Sequence, residues 1–163
     1  MNTTKTYGAD GNKFKHTDQD AIERFWRHLL AGAASIRFHR PDSGLGINDK
    51  AVACLKAARM LEEIAPLWSV DPRDDILDDR NPNEAYAAAS EDESVILIFF
   101  PKADESGEVT LTPRQARGRH RIAWIDIDQG SVLPEEAVEL GASHRLRAPG
   151  QGNFVAALTR VDR

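Results

Sequence analysis

Three features of this 163-residue sequence predict an α+β fold. Two stretches near the N-terminal end place apolar residues at helical spacing. From residue 76 the pattern changes to a period of two, broken by turn residues every 8–12 positions. One run inside that region, "VILIFF", is apolar without interruption. The expected arrangement is a helical segment with one short strand over residues 1–70, followed by an antiparallel β-sandwich of about eight strands over residues 71–163.

The first helix starts near "HTDQD". Thr17 is a capping residue there, and Asp20 sits at the positive end of the helix dipole. Ile22, Phe25, Trp26, Leu29 and Leu30 then fall on one stripe, and Gly32 releases the chain into "ASIRF", a short strand. Asn48 caps a second helix that Pro66 ends. Its expected buried face is Ala51, Cys54, Leu55, Ala58, Leu61 and Ile64. "PLWSVDPRDD" reads as a linker, because prolines and clustered aspartates do not continue a helix.

The strand candidates that follow are "ILDDR", "EAYAAAS", "SVILIFFP", "EVTLTP", "RHRIAWIDI", "EAVELG", "HRLRAP" and "FVAALTRV". "VILIFF" reads as a central strand covered on both faces. In "RHRIAWIDI", Ile122 and Trp124 face one way while Arg121, Ala123 and Ile125 face the other.

Composition limits the function classes. Apolar residues make up 41% and charged residues 29%, as in ordinary globular domains, and the formal charge of −5 disfavours non-specific binding to nucleic acid or an anionic membrane. "RGRHR" at 117–121 reads as the solvated face of a strand. No apolar run is long enough to span a bilayer, and "MNTTKTYGADGNKFKH" lacks the apolar core of a secretory signal, so a cytoplasmic location is expected. The single cysteine, Cys54, reads as a buried structural thiol. His16, His28, His120 and His144 have no metal-like spacing, and no phosphate loop or nucleophile elbow is present, so no metal or cofactor is expected.

The segment "ERFWRHLLAGAASIRFHRPDSGLG" resembles the last β/α units of the apiosidase-like glycosidase (β/α)₈ barrels. Trp124, Asp126 and Gly130 in "IAWIDIDQGS", with Pro149, Gly150, Gly152, Asn153 and Phe154 in "APGQGNFVAAL", resemble the small β-domain that follows those barrels, named for collagen binding. The resemblance implies that the chain begins at about the seventh barrel strand. Barrel glycosidases work with two carboxylates about 5–10 Å apart. The resemblance would place one on an absent strand and the other near "NTTKTYGADG", where Asp10 reads instead as a loop cap. A catalytic pair is therefore not identifiable.

Candidate ligand contacts are Arg37, His39, Arg40 and Asp42 after "ASIRF", and Tyr7 at the preceding strand end. The carboxyl ends of strands are where barrel enzymes keep their chemistry. The competing role for Arg37, His39 and Arg40 is to fix the "RPDSGLG" loop through Asp42. Trp26, Trp68 and Trp124 read as core residues. Two functions follow: a non-catalytic remnant or accessory module of a glycoside hydrolase, binding carbohydrate or protein, or a glycosidase subunit completed by a partner. Apolar stripes and open strand edges lead us to expect a homodimer through Phe25, Trp26, Leu29 and the alanine-rich second helix.

Overall fold

The computed structural model describes residues 5–9, 15–42, 47–81, 84–103 and 107–161. The fold is α+β with a sheet-rich C-terminal part, and the described residues form no closed barrel. Helix α1 spans Asp18–Leu30 and α2 spans Asp49–Ile64. Among the described residues ten strands follow: β1 Asp71–Pro72, β2 Leu77–Asp78, β3 Tyr86–Ala89, β4 Val95–Ala103, β5 Glu108–Leu111, β6 Gly118–Asp126, β7 Ser131–Val132, β8 Glu136–Leu140, β9 His144–Arg147 and β10 Gly152–Arg160. All eight predicted strands are present, and β1 and β7 are two-residue additions.

Both helices start where their caps predict. The Thr17 hydroxyl accepts from the Asp20 amide at 3.2 Å, and the Asp20 carboxylate accepts from the Thr17 amide at 2.6 Å, a reciprocal box. The Asn48 side chain accepts from the Ala51 amide at 3.0 Å. α2 ends one residue before Ala65, just ahead of Pro66.

The architecture has three layers. A large antiparallel sheet runs in the order β1-β3-β4-β10-β6-β7, with β8 also paired to β6. A three-stranded sheet, β2-β5-β9, lies against one of its faces. Between them Ile96, Ile98, Phe100, Trp124 and Leu158 meet Ile76, Val109, Leu111 and Leu146. On the other face Leu97, Phe99, Ile125 and Val155 meet Phe25, Trp26, Cys54 and Leu61 of the helices. Burial on both faces is the reason "VILIFF" shows no alternation. The division within "RHRIAWIDI" also holds, with Ile122 and Trp124 on one core and Ile125 on the other.

Four expectations change. "ASIRF" is not a continuous strand: Phe38 forms one isolated parallel bridge with Thr6. The supposed linker carries 3₁₀ turns at Leu67–Ser69 and Asp74–Ile76 with β1 between them. Leu55 is 42% exposed, because Ala51, Cys54, Ala57 and Leu61 set the buried stripe about one position round the helix. Trp68 is 80% exposed, since it stands on a short 3₁₀ turn that buries none of its residues. Trp26 and Trp124 are core, as predicted. Asp10 and the "SGLG" turn at 43–46 lie outside the described residues.

Candidate functional site

The Thr6–Phe38 bridge sets the geometry of the candidate site. The Thr6 amide donates to the Arg37 carbonyl at 2.8 Å, and the His39 amide donates to the Thr6 carbonyl at 2.9 Å. This is a parallel pairing whose crossover is α1, a βαβ unit in miniature. Thr6 and Phe38 point into the molecule, where Phe38 stacks on Phe25 with centroids 5.1 Å apart. The next residue on each segment therefore points to the same side. Tyr7 and His39 stack there, their centroids 4.8 Å apart and their planes at 25°.

Close packing holds this pair against the helices. A side chain at Gly8 would bring its Cβ within 3.1 Å of Ala21 Cβ and 3.3 Å of Asp18 Oδ1, so Gly8 lets the segment lie directly on α1. Asp18 accepts from the Ala9 amide at 3.0 Å and pairs with Lys50 at the start of α2. His39 Nδ1 lies 2.7 Å from the Arg40 carbonyl. A carbonyl only accepts, so Nδ1 carries the proton, and in the neutral ring Nε2 offers a lone pair.

Of the five predicted contacts, Tyr7 and His39 are brought together. Arg37, Arg40 and Asp42 are exposed beyond them. Neither Arg37 nor Arg40 forms an ion pair among the described residues, and Asp42 makes interactions of its own. Asp18, the carboxylate beside Gly8, is already committed to Ala9 and Lys50.

Two turns of the sandwich, one carrying Asp128 and the other Asn153, meet at one point. Asp128 accepts from the Asn153 amide at 2.8 Å and from its side-chain nitrogen at 3.0 Å. Asn153 also exchanges two hydrogen bonds with Gln19 of α1, at 2.8 and 3.1 Å, and accepts from the Lys102 amide. Gly152 next to it has φ +117°, and a Cβ there would approach Asp128 Oδ2 to 2.7 Å. Asn153, held by Asp128, thus fastens the helical layer to the sandwich.

Cys54 is a buried free thiol, and burial pushes it up to about 12, which disfavours the thiolate form. Among the described residues no cluster of three metal-ligating side chains occurs, and no helix is long and apolar enough to cross a membrane.

Sequence reasoning missed two concavities. One, about 510 Å³, lies between α1 and the β1–β3 edge and is lined by Arg24, Arg27, His28, Pro72, Asp74 and Tyr86 among others. Its signal was the i, i+3, i+4 spacing of Arg24, Arg27 and His28. The other, about 300 Å³, is an apolar groove on the outer side of the helices, with Leu29, Ile36, Leu55, Ala58 and Leu67 in its walls.

No family model matches the chain, and no curated protein does. Solved structures do. A glycoside hydrolase superposes with a TM-score of 0.65 at 12% identity, over 94% of this chain and 40% of that chain. A glycoside hydrolase family 5 protein from Bacteroides vulgatus ATCC 8482 gives the same TM-score and identity, over 92% of this chain and 37% of that one. The fold is thus glycoside hydrolase-like, and the chain spans about two fifths of the length of these neighbours.

Proposed function

We propose that this chain is a non-catalytic accessory part of a glycoside hydrolase-like protein that binds carbohydrate and self-associates. In this reading residues 1–70 are the closing β/α units of an apiosidase-like barrel, and residues 71–163 are its accessory sandwich. The observation that carries it is the Tyr7–His39 stack at the carboxyl ends of two parallel segments. An aromatic face beside a fixed imidazole lone pair suits a sugar, which offers an apolar C–H face and hydroxyl donors. Asp18, the nearby carboxylate, is neutralised by Lys50, so binding rather than hydrolysis fits the pair.

Nuclear magnetic resonance titration with a panel of neutral oligosaccharides tests this. Binding should perturb Tyr7 and His39, and Tyr7→Ala should weaken it about tenfold through the loss of roughly 1.4 kcal/mol of ring contact. A panel that leaves both residues unmoved overturns the reading.

The apolar groove on the outer helix faces favours a second reading, a glycosidase subunit active only when a partner supplies the remaining strands. Hydrolysis of aryl glycosides by the chain mixed with such a partner, lost in His39→Ala, would support it. Turnover by the purified chain alone would overturn the non-catalytic assignment.

A further inference from the structure

We propose that the groove between the C-terminal half of α1 and the β1–β3 edge is an oxyanion-binding site, taking a carboxylate or phosphate group. It is separate from the Tyr7–His39 pair and does not depend on that reading. Gly8 and Ala9, next to Tyr7, lie against Ala21 and Asp18 in the first turns of α1, whereas this groove lies beside Arg24, Arg27 and His28.

The donors come from one helix face. Arg24, Arg27 and His28 are spaced i, i+3, i+4 and all line the cavity. Neither arginine forms an ion pair with a carboxylate among the described residues, while Arg73, Arg80 and Arg114 each do. Arg27 stands over the Tyr86 ring, 4.8 Å from its centroid, which orients the guanidinium along the groove wall. Arg24 reaches His16 Nδ1 at 3.1 Å and retains further N–H donors. Among the described residues His28 Nδ1 is buried and has no hydrogen-bond partner. The residue lines the groove, and this buried nitrogen has hydrogen-bonding capacity that is still unmet.

Of the two carboxylates near the groove, Asp74 is paired with an arginine and Glu23 is met by a neutral amide. Asp74 lines the same groove, but it accepts from the Ala87 amide at 2.7 Å and from Arg80 at 3.3 Å, so its charge is met. Glu23, one position before Arg24, accepts from Gln19 at 3.0 Å. The helix dipole rationalises basic residues in the last turn, Arg27 and His28. It explains neither Arg24 a turn earlier nor the concavity. Two guanidinium groups with an imidazole match an oxyanion, which accepts in bidentate fashion. A volume of about 510 Å³ leaves space for the body that bears it.

Calorimetric titration of the whole chain with inorganic phosphate, sodium glucuronate and glucose tests the proposal. Phosphate or glucuronate should bind with a millimolar Kd, and glucose should not bind at this groove. The doubly substituted R24Q/R27Q protein should lose about tenfold or more in affinity for the anion. Arg59→Gln, on the exposed face of α2, should leave it unchanged. Should the double variant misfold, Arg24→Gln alone, with circular dichroism as the fold check, serves as the test. Preference for phosphate assigns a phosphorylated ligand, and preference for glucuronate an acidic sugar; either supports the site. Absence of binding by both anions, or binding undiminished in a folded variant, overturns it.

Discussion

Glu93 is a carboxylate with no exposed surface, in a turn between two strands. It accepts from the Gln115 amide at 2.6 Å, the Ala116 amide at 2.9 Å and Arg73 at 3.0 Å. Burial alone would raise its pKa. The amides of Ala116, Gln115 and Arg114, then Arg73, outweigh that and hold it below the usual range. A carboxylate depressed in the folded state stabilises the fold fully above its unfolded pKa, about 4.3. That stabilisation is lost as pH falls through the folded value. Urea unfolding should therefore show stability level above about pH 5 and declining below it. Glu93→Gln sets an amide N–H₂ against backbone donors and leaves Arg73 without its buried partner. We expect a loss of about 3 kcal/mol at pH 7 and a shallower acid limb. Asp92, held at about 2 by the Ser94 side chain and amide and the Ser90 hydroxyl, keeps part of that limb. An unchanged acid limb in the variant would refute the assignment to Glu93.

At the scale of elements, α1 is fixed by one aromatic column and one amide pair. Trp26 is fully buried, lies across Phe99 of β4 at 5.9 Å between centroids and meets Phe25 edge-on at 5.6 Å. Gln19 and Asn153 hold the other end. Trp26→Ala should cost about 3–5 kcal/mol in chemical denaturation, more than a surface aromatic would. Trp68→Ala, at the exposed 3₁₀ turn, should cost less than about 0.5 kcal/mol. Equal costs would mean that α1 is not docked on the sheet. The sequence made the strands and caps legible because each has a local cause: Thr17 and Asn48 accept nearby amides, and the strand patterns repeat within a few residues. The stacking of the layers was not legible, since whether Trp26 meets Phe99 or another chain depends on contacts between distant segments. The Tyr7–His39 pairing was half legible. Both residues were named from their place at strand ends, but the ring contact rests on a single bridge that no local pattern encodes.

At the scale of the whole molecule, burial of Phe25 and Trp26 leaves a smaller surface for self-association than the helical stripes suggested. The large sheet covers Trp26, and Phe38 stacks on Phe25, which forms the floor of the apolar groove, so what faces outward is Leu29, Ile36, Leu55, Ala58 and Leu67 around it. We propose this groove as the contact between two copies. Leu55 is 42% exposed on α2 and projects from its outer face, so it is the side chain to alter. A charge there costs little in a monomer, because the residue is already in contact with water. Across a dimer contact, the same charge would be buried without a partner. Light scattering should give a dimer at micromolar concentration for the native chain, and a monomer of unchanged melting temperature for Leu55→Glu. A native chain that scatters as a monomer would end the proposal. A Leu55→Glu dimer as tight as the native one would move the contact away from this groove.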